Sequence, residues 1–190
     1  RHGCMLMVDE AHGTGALGPG GRGSVAAAGL SGEVDVVVGT LGKALGGYGA
    51  YVCGSRELTD YLVNVCRPFI FSTALPPSVV LGAQRALELI QQRPGRIERL
   101  HANADELRQG LREEGLEVSD SQTQIVPLVV GDAEAAMALC EGALERGVFA
   151  QAIRPPTVPP GTSGLRVATR ATHSVKDLRR AAREVGAAAR

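Results

Sequence analysis

A lysine between glycine-rich segments, an aspartate at the end of an apolar run and a histidine three residues later are the side chains that can do chemistry in this sequence. Lys43 lies in Thr40-Leu41-Gly42-Lys43-Ala44-Leu45-Gly46, where small neighbours let it reach into a cleft. A deprotonated lysine amine forms a Schiff base with an aldehyde. Asp9 follows the apolar run 4–8, with His12 just beyond it. An aspartate at a strand end can pair with a protonated pyridine nitrogen, which keeps the ring cationic and able to take electrons from a carbanion. Thr40 offers a hydroxyl to a phosphate. Taken singly, each residue has a plainer reading: a solvated loop lysine, a surface histidine, an aspartate that forms a turn. In the order Asp, His, Thr, Lys they are the parts of a pyridoxal-phosphate site.

Two other motifs match by letter only. Asp9-Glu10-Ala11-His12 spells the DEAH box of helicases. Such an enzyme also needs a phosphate loop ending Gly-Lys-Ser/Thr. Here Gly42-Lys43 is followed by Ala44, and Val37 stands where the first glycine belongs. Gly13-x-Gly15-x-x-Gly18 has the spacing of a dinucleotide fingerprint, which works only where it turns a strand into a helix. Pro19-Gly20-Gly21 follows, so a turn-rich loop is expected.

The elements that must position these residues can be read from period and punctuation. Strands are expected at 4–8, 34–38, 50–53 and 69–71. Ser55 should cap a helix carrying Leu58, Tyr61, Leu62 and Val65 on one face. Pro76-Pro77 opens a second helix, with Val80, Ala83, Leu87 and Ile90 aligned. Arg93-Pro94-Gly95 breaks it, and a third helix, with Leu107 and Leu111 on its apolar face, stops at Gly115. We therefore divide the chain into 1–93 and 94–190. The second part alternates: strand 125–130, helix 133–146, strand 148–153, a Pro/Gly loop, strand 165–169, and a helix begun by Ser174 and Asp177. The fold class is α/β.

Composition bounds the function. The 190 residues balance 20 Lys+Arg against 20 Asp+Glu and are 44% hydrophobic. That balance fits a folded globular chain and removes the electrostatic argument for nucleic-acid binding. No apolar run is long enough for a membrane helix. The cysteines at 4, 53, 66 and 140 lack metal-ligand spacing, with the histidines or alone, so no metal is expected. They read as buried, reduced thiols of a cytoplasmic protein. The chain opens Arg1-His2-Gly3 directly into an apolar strand, which points to a piece of a longer protein.

Several strings together resemble the α-oxoamine synthases, fold-type I pyridoxal-phosphate enzymes related to aspartate aminotransferase. They are Val8-Asp9-Glu10-Ala11-His12-Gly13-Thr14-Gly15, Gly21-Arg22-Gly23-Ser24, Gly39-Thr40-Leu41-Gly42-Lys43-Ala44-Leu45-Gly46, and Arg67-Pro68-Phe69-Ile70-Phe71-Ser72-Thr73-Ala74-Leu75-Pro76-Pro77. Ala152-Ile153-Arg154-Pro155-Pro156-Thr157-Val158-Pro159 is most like the biotin-pathway branch. The resemblance implies the C-terminal part of the large cofactor domain followed by a small α/β domain. It implies that Lys43 carries the cofactor as a Schiff base, that Asp9 holds the pyridine nitrogen and His12 the ring hydroxyl, and that Thr40 contacts the phosphate. Ser72 and Thr73 match residues that reach the phosphate of a neighbouring subunit, which implies a homodimer. Arg154 would bind the amino-acid carboxylate, with Thr157 beside the substrate. The implied reaction is decarboxylative condensation of L-alanine with a pimeloyl thioester of coenzyme A or a carrier protein. A glycine-using acyltransferase of the same family and a non-catalytic paralogue are the alternatives. Family members are roughly twice this long. Their N-terminal half supplies a histidine stacked on the ring, a serine near its hydroxyl, backbone phosphate contacts and an arginine for the acyl substrate. This chain alone would therefore hold an incomplete site.

Overall fold

In the computed structural model, which describes residues 3–190, the β-branched run expected near Val36 forms the centre of a three-stranded sheet. Strand β1 (Met7–Asp9) lies parallel to β2 (Val36–Thr40), and β3 (Ala50–Gly54) pairs with β2 antiparallel. Asp9 is in register with Val38. Residues in register share a face, and alternate residues of a strand share one too. Asp9 and Thr40 therefore project from the same face at the chain-terminal ends of two parallel strands.

A loop, a short 3₁₀ turn (Pro19–Gly21) and the one-turn helix α1 (Ser24–Ala27) connect β1 to β2. After β3 come α2 (Arg56–Val65), α3 (Arg67–Ile70) and α4 (Pro77–Gln92). Ser55 caps α2 as expected: its hydroxyl accepts the Leu58 amide at 3.2 Å. Residues 69–71, expected as a strand, instead complete a helical turn. The Phe69 and Ile70 amides return to the Cys66 carbonyl and the Phe71 amide to Arg67. Pro68 sits in the first turn of α3, where its fixed φ and missing N–H cost nothing. Among the described residues no strand pairs with this segment, and a helical turn closes its own bonds without one. The strand expected at 4–8 is shorter as well: Leu6 gives its amide to the Asp35 carboxylate at 2.7 Å rather than to a strand.

The chain divides into two compact units, Arg1–Ile97 and Glu98–Arg190, with the boundary in the first turn of α5 (Gly95–Glu113). The second unit holds an antiparallel sheet ordered β4-β6-β5: β4 (Ile125–Gly131), β5 (Gln151–Ile153) and β6 (Ser163–Ala168). Helices α5, α6 (Ala133–Glu145) and α7 (Val175–Ala188) complete it. Its core joins Leu107, Leu111, Val126, Leu128, Leu165, Val167, Leu178 and Val185. The strand expected from Val148 starts only at Gln151, because the Val148 amide closes the end of α6 on the Ala143 carbonyl. Ser174 caps α7. Its hydroxyl accepts the Asp177 amide at 3.1 Å and donates to the Asp177 carboxylate at 2.6 Å. That side-chain bond holds the Asp177 carboxyl below its ordinary range.

Among the described residues no helix is long and apolar enough to cross a membrane. Among the described residues no disulfide joins the four cysteines, but the expectation of burial fails: Cys4 and Cys53 are exposed and Cys66 and Cys140 half-buried. Cys53 lies in β3, whose exposed residues fall on both faces, and Cys4 lies in the exposed stretch before β1.

Gly164 lies in the central strand β6, where an added Cβ would strike the Leu128 carbonyl of β4. Leu111→Ala should cost about 2–5 kcal/mol, as for other buried leucines. Gly164→Ala should cost more, because backbone rather than side chain must move. Urea unfolding followed by circular dichroism checks the order of the two.

Candidate active site

The two halves of Asp9-Glu10-Ala11-His12 do different work, and strand alternation is the cause. Asp9 is exposed at the end of β1. The next residue, Glu10, is only 3% exposed. Its amide extends the ladder by donating to the Val38 carbonyl at 2.7 Å. One of its carboxylate oxygens, Oε2, accepts the Ser24 amide at 2.9 Å. The other, Oε1, accepts the Ser24 hydroxyl at 2.8 Å and the Val25 amide at 2.7 Å. A buried carboxylate needs such donors to offset its desolvation. Gly13 and Gly23 leave room for it, since a Cβ at either would collide with that carboxylate.

This clasp ties the first turn of α1 to the end of β1 and fixes the turn between them. The Gly13 and Thr14 amides both return to the Glu10 carbonyl at 2.9 Å. The loop closes on itself through the bond from the Gly15 amide to the Gly21 carbonyl, at 2.8 Å, and a Thr14–Arg22 bridge. The Gly13–Gly18 spacing therefore marks a folded-back loop and not a strand-to-helix phosphate turn.

Lys43 approaches the same turn from the end of β2. The Lys43 amine and His12 Nε2 lie 3.0 Å apart, within hydrogen-bond distance. The Lys43 loop is braced by the Leu41 amide on the Gly49 carbonyl (2.9 Å), the Gly47 amide on Leu41 (2.7 Å) and the Gly46 amide on Lys43 (3.0 Å). Asp9 Oδ1 accepts the Ala11 amide at 2.8 Å, which orients the carboxylate at the strand end. Thr40 donates its hydroxyl hydrogen to the Gly49 carbonyl at 3.1 Å and accepts the Gly42 amide at 3.1 Å. A phosphate contact through Thr40 therefore requires that hydroxyl to rotate.

The first unit thus brings four of the expected residues together at the ends of its parallel strands, where ligands bind in open α/β sheets. Ser72 and Thr73 lie exposed in the segment between α3 and α4. In the second unit, Arg154 is exposed just after β5, its carbonyl accepting the Thr157 amide at 3.0 Å. Thr157 is exposed as well. A lysine paired with a histidine, an exposed strand-end carboxylate and a hydroxyl on the carboxylate's face fit pyridoxal phosphate: an aldehyde, a ring nitrogen and a phosphate each meet a suitable group. Sequence reasoning missed Glu10, treating it only as a letter of the helicase box. Its partners Ser24 and Val25 lie 14 and 15 positions further on, so no local signal marked it.

A family model for aminotransferase class I and II matches residues 1–185. The chain belongs to that family. An 8-amino-7-oxononanoate synthase from Geobacter metallireducens is 52% identical over 181 residues, which make up 94% of this chain and 46% of that protein. The 8-amino-7-oxononanoate synthase of Geobacter sulfurreducens is 49% identical over 183 residues, 95% of this chain and 47% of the relative. Among solved structures, Sphingomonas wittichii serine palmitoyltransferase aligns with a TM-score of 0.92 at 35% identity, over 98% of this chain and 47% of its own. An SPT structure with a PLP internal aldimine aligns at 0.92 and 35%, over 98% of this chain and 48% of its own. The 8-amino-7-oxononanoate synthase from Francisella tularensis aligns at 0.81 and 28%, over 96% and 54%. These relatives are α-oxoamine synthases, the group that the sequence resembles. The aminotransferase-like α/β fold expected from the sequence is the fold observed. This member of the aminotransferase family spans about half the length of the curated relatives it matches.

Glu10→Gln places an amide nitrogen where a carboxylate oxygen now accepts from protein donors, leaving a buried donor unsatisfied. It should cost about 1–3 kcal/mol. The loss should be local first, so amide hydrogen exchange at Ser24 and Val25 should accelerate before that of β2.

Proposed function

We propose that the whole protein of which this chain is part is an α-oxoamine synthase that condenses L-alanine with a pimeloyl thioester, releasing carbon dioxide and the thiol carrier. The observation that carries this reading is the 3.0 Å approach of the Lys43 amine to His12 Nε2 beside Asp9 and Thr40. About 50% identity to 8-amino-7-oxononanoate synthases supports the choice of substrates. Bound pyridoxal phosphate would supply an electron sink for negative charge on the amino acid's α-carbon.

The chain's own residues do the rest. Lys43 presents its amine to the cofactor aldehyde and afterwards holds or delivers a proton at that amine. Asp9 keeps a proton on the pyridine nitrogen, because a carboxylate beside it favours the cationic form. His12 would hold the ring hydroxyl. Thr40 binds the phosphate after turning its hydroxyl from Gly49, and Ser72 and Thr73 bind the phosphate of a neighbouring subunit in a homodimer. Arg154 grips the amino-acid carboxylate with two parallel N–H donors, a geometry that lysine cannot reproduce. Pro155 restricts the backbone of Arg154, which aims the fork, and Thr157 lines the same substrate position. The acyl donor is a thioester of coenzyme A or of a carrier protein. Four cysteines outside any disulfide suit a reducing, cytoplasmic setting.

Borohydride reduction of the full-length protein with pyridoxal phosphate should label Lys43; label on another lysine would remove this site. Asp9→Asn should still bind the cofactor but lose most exchange of the alanine α-proton with solvent, read by NMR. Arg154→Lys should weaken L-alanine binding by about 1–3 kcal/mol, the scale of a charge-assisted hydrogen bond, with cofactor binding unchanged. Spectroscopic titration with alanine, glycine and serine measures this and tests the amino-acid choice: a preference for glycine or serine would move the protein to another branch of the family.

A further inference from the structure

Tyr51 stands on the face of the first sheet opposite Asp9 and Thr40. It is paired with Gly39 of β2, one residue out of phase with Thr40. Its ring lies against the backbone of Gly39, where any Cβ would overlap the phenol. From there the hydroxyl reaches Thr14 Oγ1 at 2.7 Å, a part-buried contact between residues far apart in the chain.

Thr14 closes the turn that carries His12, since its amide returns to the Glu10 carbonyl. The adjoining Gly15 lies against Ala44, the residue after Lys43: a Cβ at Gly15 would come within 2.7 Å of the Ala44 methyl. The Thr14–Tyr51 bond therefore sits behind the place where the His12 turn and the Lys43 loop touch. Glu10 anchors the far end of the same loop through Ser24 and Val25. The bonds to Glu10, Gly21 and Arg22 close the loop on itself, whereas the Tyr51 bond ties it to β3, so losing that bond lets the closed loop shift and draws His12 away from Lys43.

We infer that Tyr51 is a positioning residue: through Thr14 it locks the turn that holds His12 against Lys43. The reaction uses neither hydroxyl. Each needs the other because both are part-buried, and removing one leaves its partner unsatisfied. This inference rests on the proposed role of Lys43 in holding the cofactor, but the lock itself belongs to the protein alone.

The test uses the full-length protein with Tyr51→Phe, Thr14→Val, the double variant and Thr14→Ser. Tyr51→Phe keeps the ring on Gly39, so folding should survive. In the cofactor-free protein, amide exchange at Gly13 to Ala16 should rise several-fold in Tyr51→Phe and Thr14→Val, while exchange in β2 stays at the wild-type rate. In the loaded enzyme kcat should fall by about 3–10-fold with the amino-acid KM unchanged, the pattern of lost positioning and not of lost binding. The double variant should be no worse than either single one, as two ends of one bond require, and Thr14→Ser should restore both readouts. Wild-type exchange at Gly13 to Ala16 in Tyr51→Phe would overturn the inference, as would a serine variant that behaves like the valine one. If the wild type carries no cofactor on Lys43, the proposed function fails, and the exchange measurements alone decide whether the lock exists.

Discussion

The arrangement at the end of the first sheet depends on one buried carboxylate. Glu10 collects two amides and a hydroxyl from the start of α1, and the two amides are donors that a helix N-terminus leaves without an intrahelical partner. The carboxylate gains the hydrogen bonds its burial requires, and the helix start gains an acceptor. Because β1 alternates, burying Glu10 obliges Asp9 to face the other way. The interaction that folds the connection behind the sheet is thus the one that presents Asp9 in front of it. Gly13 and Gly23 follow from the same requirement, since the carboxylate occupies the space their side chains would need.

The second unit is organised differently. Its antiparallel sheet carries a closed apolar core against α5, α6 and α7. Close packing extends to the backbone: Gly164 fits against the Leu128 carbonyl, and Gly110 faces the Ala182 methyl at a distance that admits no larger residue. Arg108 is buried; its two terminal nitrogens donate to Asp105 at 2.5 Å and to the Thr123 carbonyl, which ties α5 to the segment before β4, while its buried Nε is left without an acceptor. Arg154 emerges from this rigid body at the end of β5, in a turn limited by two prolines. In the proposed function such a base leaves the Arg154 backbone little freedom to lose when the side chain takes a carboxylate.

The first unit shows large apolar side chains at its surface: Met5, Met7, Tyr61, Phe69, Phe71 and Leu81 are all well exposed, as Phe149 and Leu144 are in the second. The length comparison gives this a context, since the curated relatives are about twice as long as the chain. An apolar residue type states a preference for burial, and whether the preference is met depends on what else packs there.

By itself the sequence determined the order of the elements, because period, proline and capping residues act over a few positions. Ser55, Pro76-Pro77, Gly115 and Ser174 punctuate helices for local steric and hydrogen-bonding reasons. It also identified Asp9, His12, Thr40 and Lys43 as candidates, because few side chains can serve that chemistry and they occur in a telling order. The site's geometry depended on tertiary structure. Residues 69–71 became helical because a strand needs a neighbour and a helical turn does not. Val148 closed a helix because its amide found Ala143 first. Glu10 and Tyr51 could not be recognised locally, since their partners Ser24, Val25 and Thr14 come from other parts of the chain. The contact between Lys43 and His12 spans 31 positions. Only pairing β1 beside β2 places those two residues together, and strand pairing is a property of the folded chain that no local stretch encodes.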